Sequence, residues 1–180
     1  MSIQSSLPGS GISINTATWR DLKALYHMER VCFQLDAWPM LDILGVLTIP
    51  QVIRLKAETQ DELIGFIAAD LRRSQQTAWI ATLAVLPEYR NSGIASELLG
   101  TCEELVTLPR IRLSVRQSNQ PAIQLYQKYG YQQVEIWKKY YKGGDNALVF
   151  EKKLSATSQD SHIQKPITKP EDNNIPDLEG

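Results

Sequence analysis

Residues 80 to 105 read I-A-T-L-A-V-L-P-E-Y-R-N-S-G-I-A-S-E-L-L-G-T-C-E-E-L. The run from Trp79 to Leu86 is apolar and β-leaning, and Pro87 ends it by removing a backbone donor and fixing φ. A polar turn follows, from Glu88 to Gly93. Apolar residues then recur at Ile94, Leu98, Leu99, Cys102 and Leu105, one face of a helix. The order strand, glycine-bearing turn, helix aims backbone N–H groups and the positive end of a helix at one spot. Arg90 adds a fixed positive charge at the entrance. A pyrophosphate fits such a place. So does nothing at all, since one glycine in a turn needs no ligand. The pattern has neither the Gly-Lys-Ser/Thr of a Walker loop nor the G-x-G-x-x-G of a dinucleotide loop.

The rest of the chain is read outward from there. Its 180 residues suit one domain with a sizeable core. Nineteen basic against twenty acidic residues leave no global field for nucleic acid or an anionic membrane. No apolar run reaches the roughly 18 residues of a membrane span, and the first ten residues do not resemble a signal peptide. The two cysteines, Cys32 and Cys102, lie in apolar helical patterns and fit a reducing cytoplasm. Their spacing is no metal motif, so no metal is expected.

Residues 1–10 read as a loose terminus. Gly11 to Asn15 alternates as a short strand. Thr16 or Thr18 offers a helix cap, with Asp21 completing a capping box with Thr18. The helix that follows reaches about Cys32, with Leu22, Leu25, Tyr26, Met28 and Cys32 on its apolar face. Phe33 and Trp38 sit in the connection beyond, either as core packing or as walls of a substrate groove. Pro39 opens a second helix to about Thr48. Gln51 to Thr59, Leu63 to Leu71 and Thr77 to Leu86 form an antiparallel meander, with Gln60-Asp61-Glu62 at one turn. After the central helix, Arg110 to Val115 returns parallel to its predecessor by a right-handed crossover. Asn119 caps the next helix, Pro121 lies in its first turn, and Gly130 ends it. Tyr131 to Tyr141 and Ala147 to Leu154 form a last hairpin. Residues 155–180 carry three prolines and no aromatic residue, and read as a disordered tail. The expected domain is therefore residues 11–154.

Arg90, Gly93 and Ala95 match R-x-x-G-x-A, which resembles the acetyl-coenzyme A loop of the GNAT superfamily of N-acetyltransferases. The element order is similar to the whole GNAT fold: an α/β domain with a mixed, mostly antiparallel sheet of six to seven strands and about four helices. The resemblance implies a splay between the fourth and fifth strands. Ser118 to Tyr131, S-N-Q-P-A-I-Q-L-Y-Q-K-Y-G-Y, resembles a segment of protein N-acetyltransferases. Lys138 to Tyr141, K-K-Y-Y, resembles a substrate-side tyrosine pair, and V-C-F with Trp38-Pro39 resembles a substrate loop. Together they are similar to the ribosomal-protein-alanine and protein N-terminal acetyltransferases.

That resemblance implies transfer from acetyl-coenzyme A to a protein N-terminal amine. Arg90, Asn91, Ser92, Gly93, Ile94, Ala95 and Ser96 would hold the pyrophosphate. Leu83 and Val85 would pair with the pantetheine arm, and Asn119 would touch it from the far side. A backbone N–H near Val85 would polarise the thioester carbonyl. Tyr126 would be the general acid. Tyr26, Phe33, Tyr140 and Tyr141 would line the acceptor side, and Arg116 would brace the sheet end. The base is where the sequence departs from the pattern: relatives carry Glu or His where Ser114 stands, and serine can only orient a water. Trp79 likewise replaces a water-ordering tyrosine. Either the amine arrives neutral, since its pKa is about 8, or Tyr26, Tyr140 or an unplaced carboxylate takes the proton. Two other functions remain open: acetylation of a small amine such as a polyamine or amino acid, and a coenzyme A-binding module without turnover.

Overall fold

The computed structural model describes residues 5–6, 11–60 and 62–154. The expected disordered tail, most of the expected loose terminus and Asp61 lie outside them. Eight strands form one sheet in the order β1-β2-β3-β4-β5-β6-β8-β7. They are β1 (Ser5–Ser6), β2 (Ser13–Thr16), β3 (Val52–Glu58), β4 (Leu63–Arg72), β5 (Thr77–Val85), β6 (Arg110–Arg116), β7 (Gln132–Trp137) and β8 (Ala147–Lys153). The four α-helices are α1 (Leu22–Phe33), α2 (Met40–Thr48), α3 (Ile94–Leu105) and α4 (Gln120–Lys128). Every strand pair is antiparallel except β5 with β6, which α3 joins by a crossover.

The pattern in β4 shows how the layers separate. Ile64, Ile67 and Ala69 join a core with α3 and α4, while Phe66 and Ala68 join a second core under α1 and α2. Ile94, Leu98, Leu99 and Cys102 of α3 are almost wholly buried. Each such side chain contributes about 1.5–3 kcal/mol by leaving water. Gly65 lets α3 come this close: a Cβ there would sit 3.0 Å from Ile94 Cγ2 and 3.0 Å from Leu98 Cδ1.

The local caps agree with the sequence. Thr18 and Asp21 form the capping box, around a short 3-10 turn (Trp19–Asp21) that leads into α1. Asn119 Oδ1 accepts from Ala122 N at 3.3 Å, and Gly130 has φ +83° after α4. The two-residue β1 pairs with β2 and adds a short edge strand to the seven read from the sequence. One expectation is corrected: β7 ends at Trp137 rather than Tyr141. Lys139 takes φ +53° there, and its N–H donates to Asn146 Oδ1, which turns residues 138–146 into a folded loop.

The β5–β6 pairing runs only from Ala78↔Ile111 to Ile80↔Leu113. On the other edge of β5, Ala68 pairs with Thr82 but Ala69 pairs with Ile80, leaving Ala81 as an extra residue. A bulge bends its strand and increases the twist. It falls where β5 leaves β6, so the bulge and the splay share one position. Gly65→Val should lower unfolding free energy by about 1–3 kcal/mol through overpacking against α3, read by denaturant titration.

Candidate active site

A cleft of about 750 Å³ opens at the splay. Leu83, Ala84 and Val85 of β5 form one wall, and Asn119, Ala122 and Tyr126 at the α4 side form the other. The turn before α3 closes one end. Asn91 has φ +62° and Gly93 φ +88°, so successive peptides turn their N–H groups into a concave nest that favours an anion. A Cβ on Gly93 would meet nothing within 4 Å, so the protein itself leaves that approach open. Arg90 Nε donates to Val85 O at 3.2 Å, which fixes the guanidinium beside the nest. Tyr129 OH donates to Ser96 O at 2.8 Å and ties α4 to the first turn of α3.

A smaller chamber of about 150 Å³ adjoins this cleft. Phe33, Asp36, Leu83, Arg116, Asn119, Ala122 and Tyr126 border both spaces, so Tyr126 stands where they meet. Tyr126 is buried, which pushes its phenol well above its usual range and keeps it protonated. Ser114, Trp38 and Tyr141 line the chamber. Burial also raises the Tyr141 phenol, against the opposing pull of the Ser114 hydroxyl and Arg116.

Most residues singled out in the sequence gather here. Leu83, Val85, Arg90, Asn91, Gly93, Ile94, Ala95, Ser96, Asn119 and Phe33 border the larger cleft, and Ser114 and Tyr141 the smaller. Three stand apart. Ser92 turns its hydroxyl to Tyr89 O. Tyr26 accepts from Arg30 Nη1 at 3.3 Å and borders neither space. Tyr140 is 55% exposed and packs on Tyr141 and Trp137. Trp79 of β5 stacks on Trp137 of β7 at 5.7 Å and 3°, with β6 and β8 between their strands.

Two features were not read from the sequence. Glu29 is a carboxylate only 3% exposed on the chamber wall. Its spacing from Leu22, Leu25 and Cys32 puts it within the apolar stripe of α1, and that misplacement was the available clue. The second feature is the set of partners of Arg116, which the sequence expects only to brace the sheet end. Arg116 donates to Asp36 from both Nε and Nη2, to Asp145 Oδ2 at 2.9 Å and to Lys142 O at 2.9 Å. It thereby clamps the α1–α2 connection to the β7–β8 loop over the chamber. The guanidinium also lies 4.6 Å from the Tyr141 ring centre. Among the described residues no group of three or more His, Cys, Asp or Glu is placed to hold a metal ion, and no helix is long and apolar enough to cross a membrane.

A splayed sheet, an anion nest at a helix start and a buried tyrosine meet at two adjoining spaces. Residues 22–131 match the acetyltransferase (GNAT) family. The chain is 31% identical over 137 residues to N-alpha-acetyltransferase 50 of Danio rerio, covering 73% of this chain and 80% of that protein. It is 30% identical over 155 residues to the N-alpha-acetyltransferase of Sulfurisphaera tokodaii, covering 78% and 92%. The fold is also that of the ribosomal-protein-S18-alanine N-acetyltransferase of Escherichia coli (TM-score 0.74, 22% identity, 84% and 99% covered). Arabidopsis thaliana NAA60, crystallised with acetyl-CoA, is similar too (TM-score 0.70, 21% identity, 79% and 98% covered). The chain belongs to the GNAT family and is an acetyl-CoA-dependent N-acetyltransferase.

Arg116→Ala should free both loops of the clamp. Amide exchange should quicken in residues 34–38 and 138–146, while the β6–β8 ladder stays protected; unchanged loop exchange would count against the clamp.

Proposed function

We propose that the protein moves the acetyl group of acetyl-coenzyme A to the α-amine of a protein N-terminus. Its relatives named N-alpha-acetyltransferase support this reading. The observation that carries it is the position of Tyr126 between the two spaces, one with an anion nest and one walled by Phe33, Trp38 and Tyr141. Residues 11–154 would be the working unit, and the free Cys32 and Cys102 fit a reducing, cytoplasmic setting.

The cleft suits the cosubstrate. The N–H groups from Asn91 to Ala95 would hold its pyrophosphate, with Arg90 beside them and Ser96 in reach. Leu83 and Val85 would offer backbone partners to an extended pantetheine arm, because their strand has no β6 partner there. Asn119 and Ala122 would close the arm from the other side. The cosubstrate supplies the thioester, and a backbone N–H near Val85 would polarise its carbonyl. Tyr126, held protonated by burial, would give its proton to the departing thiolate.

A polyamine would want free carboxylates at the mouth. Asp36 borders both spaces, but Arg116 holds it together with Asp145. A short peptide with one amine meets this surface better.

Turnover of acetyl-CoA against peptides varied at their first two residues, with spermine and free lysine as controls, tests the reading. Selective release of coenzyme A with particular peptides is expected; turnover on the controls alone would move the enzyme to small amines. Tyr126→Phe should lower kcat about 10²–10⁴-fold with acetyl-CoA affinity unchanged. Gly93→Val should weaken acetyl-CoA binding in calorimetry, at a folding cost of about 1–2 kcal/mol for a side chain at positive φ.

A further inference from the structure

Glu29 is the one Asp, Glu, Lys, Arg or His buried among the described residues. Its oxygens accept from neutral donors: Oε1 from Thr82 Oγ1 at 3.1 Å, and Oε2 from Trp38 N at a long 3.4 Å. No cation pairs with it among the described residues. A carboxylate buried without a countercharge costs free energy, and a glutamine would make similar hydrogen bonds without that cost. The position therefore asks for a use of the proton. Glu29 and Thr82 both border the small chamber, whose lining also includes Ser114 and Tyr126. Thr82 follows directly on the bulged Ala81.

We propose that Glu29 is the proton acceptor for the incoming amine, reached through the Thr82 hydroxyl at the bulge of β5. This rests on the acetyl-transfer reading above but not on which amine is used. The sequence left this role open at Ser114, and the carboxylate comes instead from α1.

The protons balance. The ammonium gives one proton to the Thr82 oxygen as the Thr82 hydroxyl proton passes to Glu29. The neutral nitrogen attacks the thioester carbon, so the C–N bond forms and the C–S bond breaks. Tyr126 protonates the sulfur and is restored by a second proton lost from the nitrogen. The third stays on the amide. Glu29 returns its proton to solvent, leaving coenzyme A thiol, amide and one released proton.

The other groups facing Glu29 are few. Asp36 and Arg116 border the same chamber and pair with each other, and Arg116 also pairs with Asp145. Tyr126 from α4 and Tyr141 from the β7–β8 loop are both protonated phenols, and Cys32 lies on the same helix with its thiol raised by burial. Burial raises the Glu29 carboxyl above its ordinary 4.5, against hydrogen bonds from Trp38 and Thr82. That brings it nearer the amine it would serve.

The test compares wild type, Glu29→Gln and Thr82→Val on whichever amine the wild type turns over fastest, peptide or small. A failed N-terminal reading thus leaves this test standing. At pH 6.5 Glu29→Gln should lose on the order of 10²-fold or more in kcat, with acetyl-CoA affinity kept. The deficit should shrink as pH rises toward the pKa of the free amine, because a neutral amine needs no acceptor. Thr82→Val should show the same pH-dependent deficit in smaller degree. A loss that is equal at every pH would mark Glu29 as a structural tie between Trp38 and Thr82 and overturn the proposal. So would wild-type rates in Glu29→Gln. A second arm needs no substrate. The folded carboxyl holds its proton to higher pH than the unfolded one, so wild-type stability relative to Glu29→Gln is greatest below about 4.5 and falls as pH rises through the folded value. A stability difference that stays flat from pH 4 to 8 would overturn the assignment as well.

Discussion

The site depends on two parallel strands that stop pairing. β5 and β6 exchange backbone hydrogen bonds only as far as Ile80 and Leu113. Beyond that point each strand runs on with one edge open. Buried backbone groups need partners, so an open edge inside a domain is tolerable only where water or a ligand can reach it. The bulge at Ala81 supplies the bend that opens this edge, and α3 and α4 keep the gap from collapsing. The rest of the molecule serves the gap. Gly65 brings α3 onto the sheet, Gly93 turns its first N–H groups toward the cleft, and Tyr129 fastens α4 to α3.

Charge is distributed around the gap with the same economy. Arg90 is fixed by a carbonyl and keeps its charge for the cleft. Arg116 is engaged instead by Asp36, Asp145 and a carbonyl, so it ties the α1–α2 connection to the β7–β8 loop. Glu29 pairs with no cation among the described residues, and burial raises its carboxyl against hydrogen bonds from Trp38 and Thr82. One cleft thus carries an anion nest, and the adjoining chamber carries a carboxylate with no ion-pair partner among the described residues, a division that would suit a charged cosubstrate meeting a single amine.

The fold was largely legible because its signals are local. Pro87, Gly93, Asn119 and Gly130 each act within one turn, and the 3.6-residue stripe of α3 is unbroken. The turn expected to hold the cosubstrate was legible for the same reason, since it is one continuous segment. The contacts around the small chamber were not. Asp36 and Arg116 lie 80 residues apart, and nothing in either segment announces the other. Glu29 fell within an apolar stripe and was passed over, because a pattern of burial does not say which buried residue is charged. The bulge at Ala81 has no marker, as alanine tolerates both regular and bulged strands. The end of the seventh strand was missed because Lys139 at positive φ is a choice made by Asn146 and the loop, not by lysine.

The Trp79–Trp137 stack joins β5, at a position still paired with β6, to the edge strand β7 over two intervening strands. Two indoles held parallel at this distance couple their electronic transitions. Any spreading of the strands that carry them alters that coupling. The near-ultraviolet circular dichroism of the native chain is therefore a label-free gauge of how far the wedge opens when a ligand slides in.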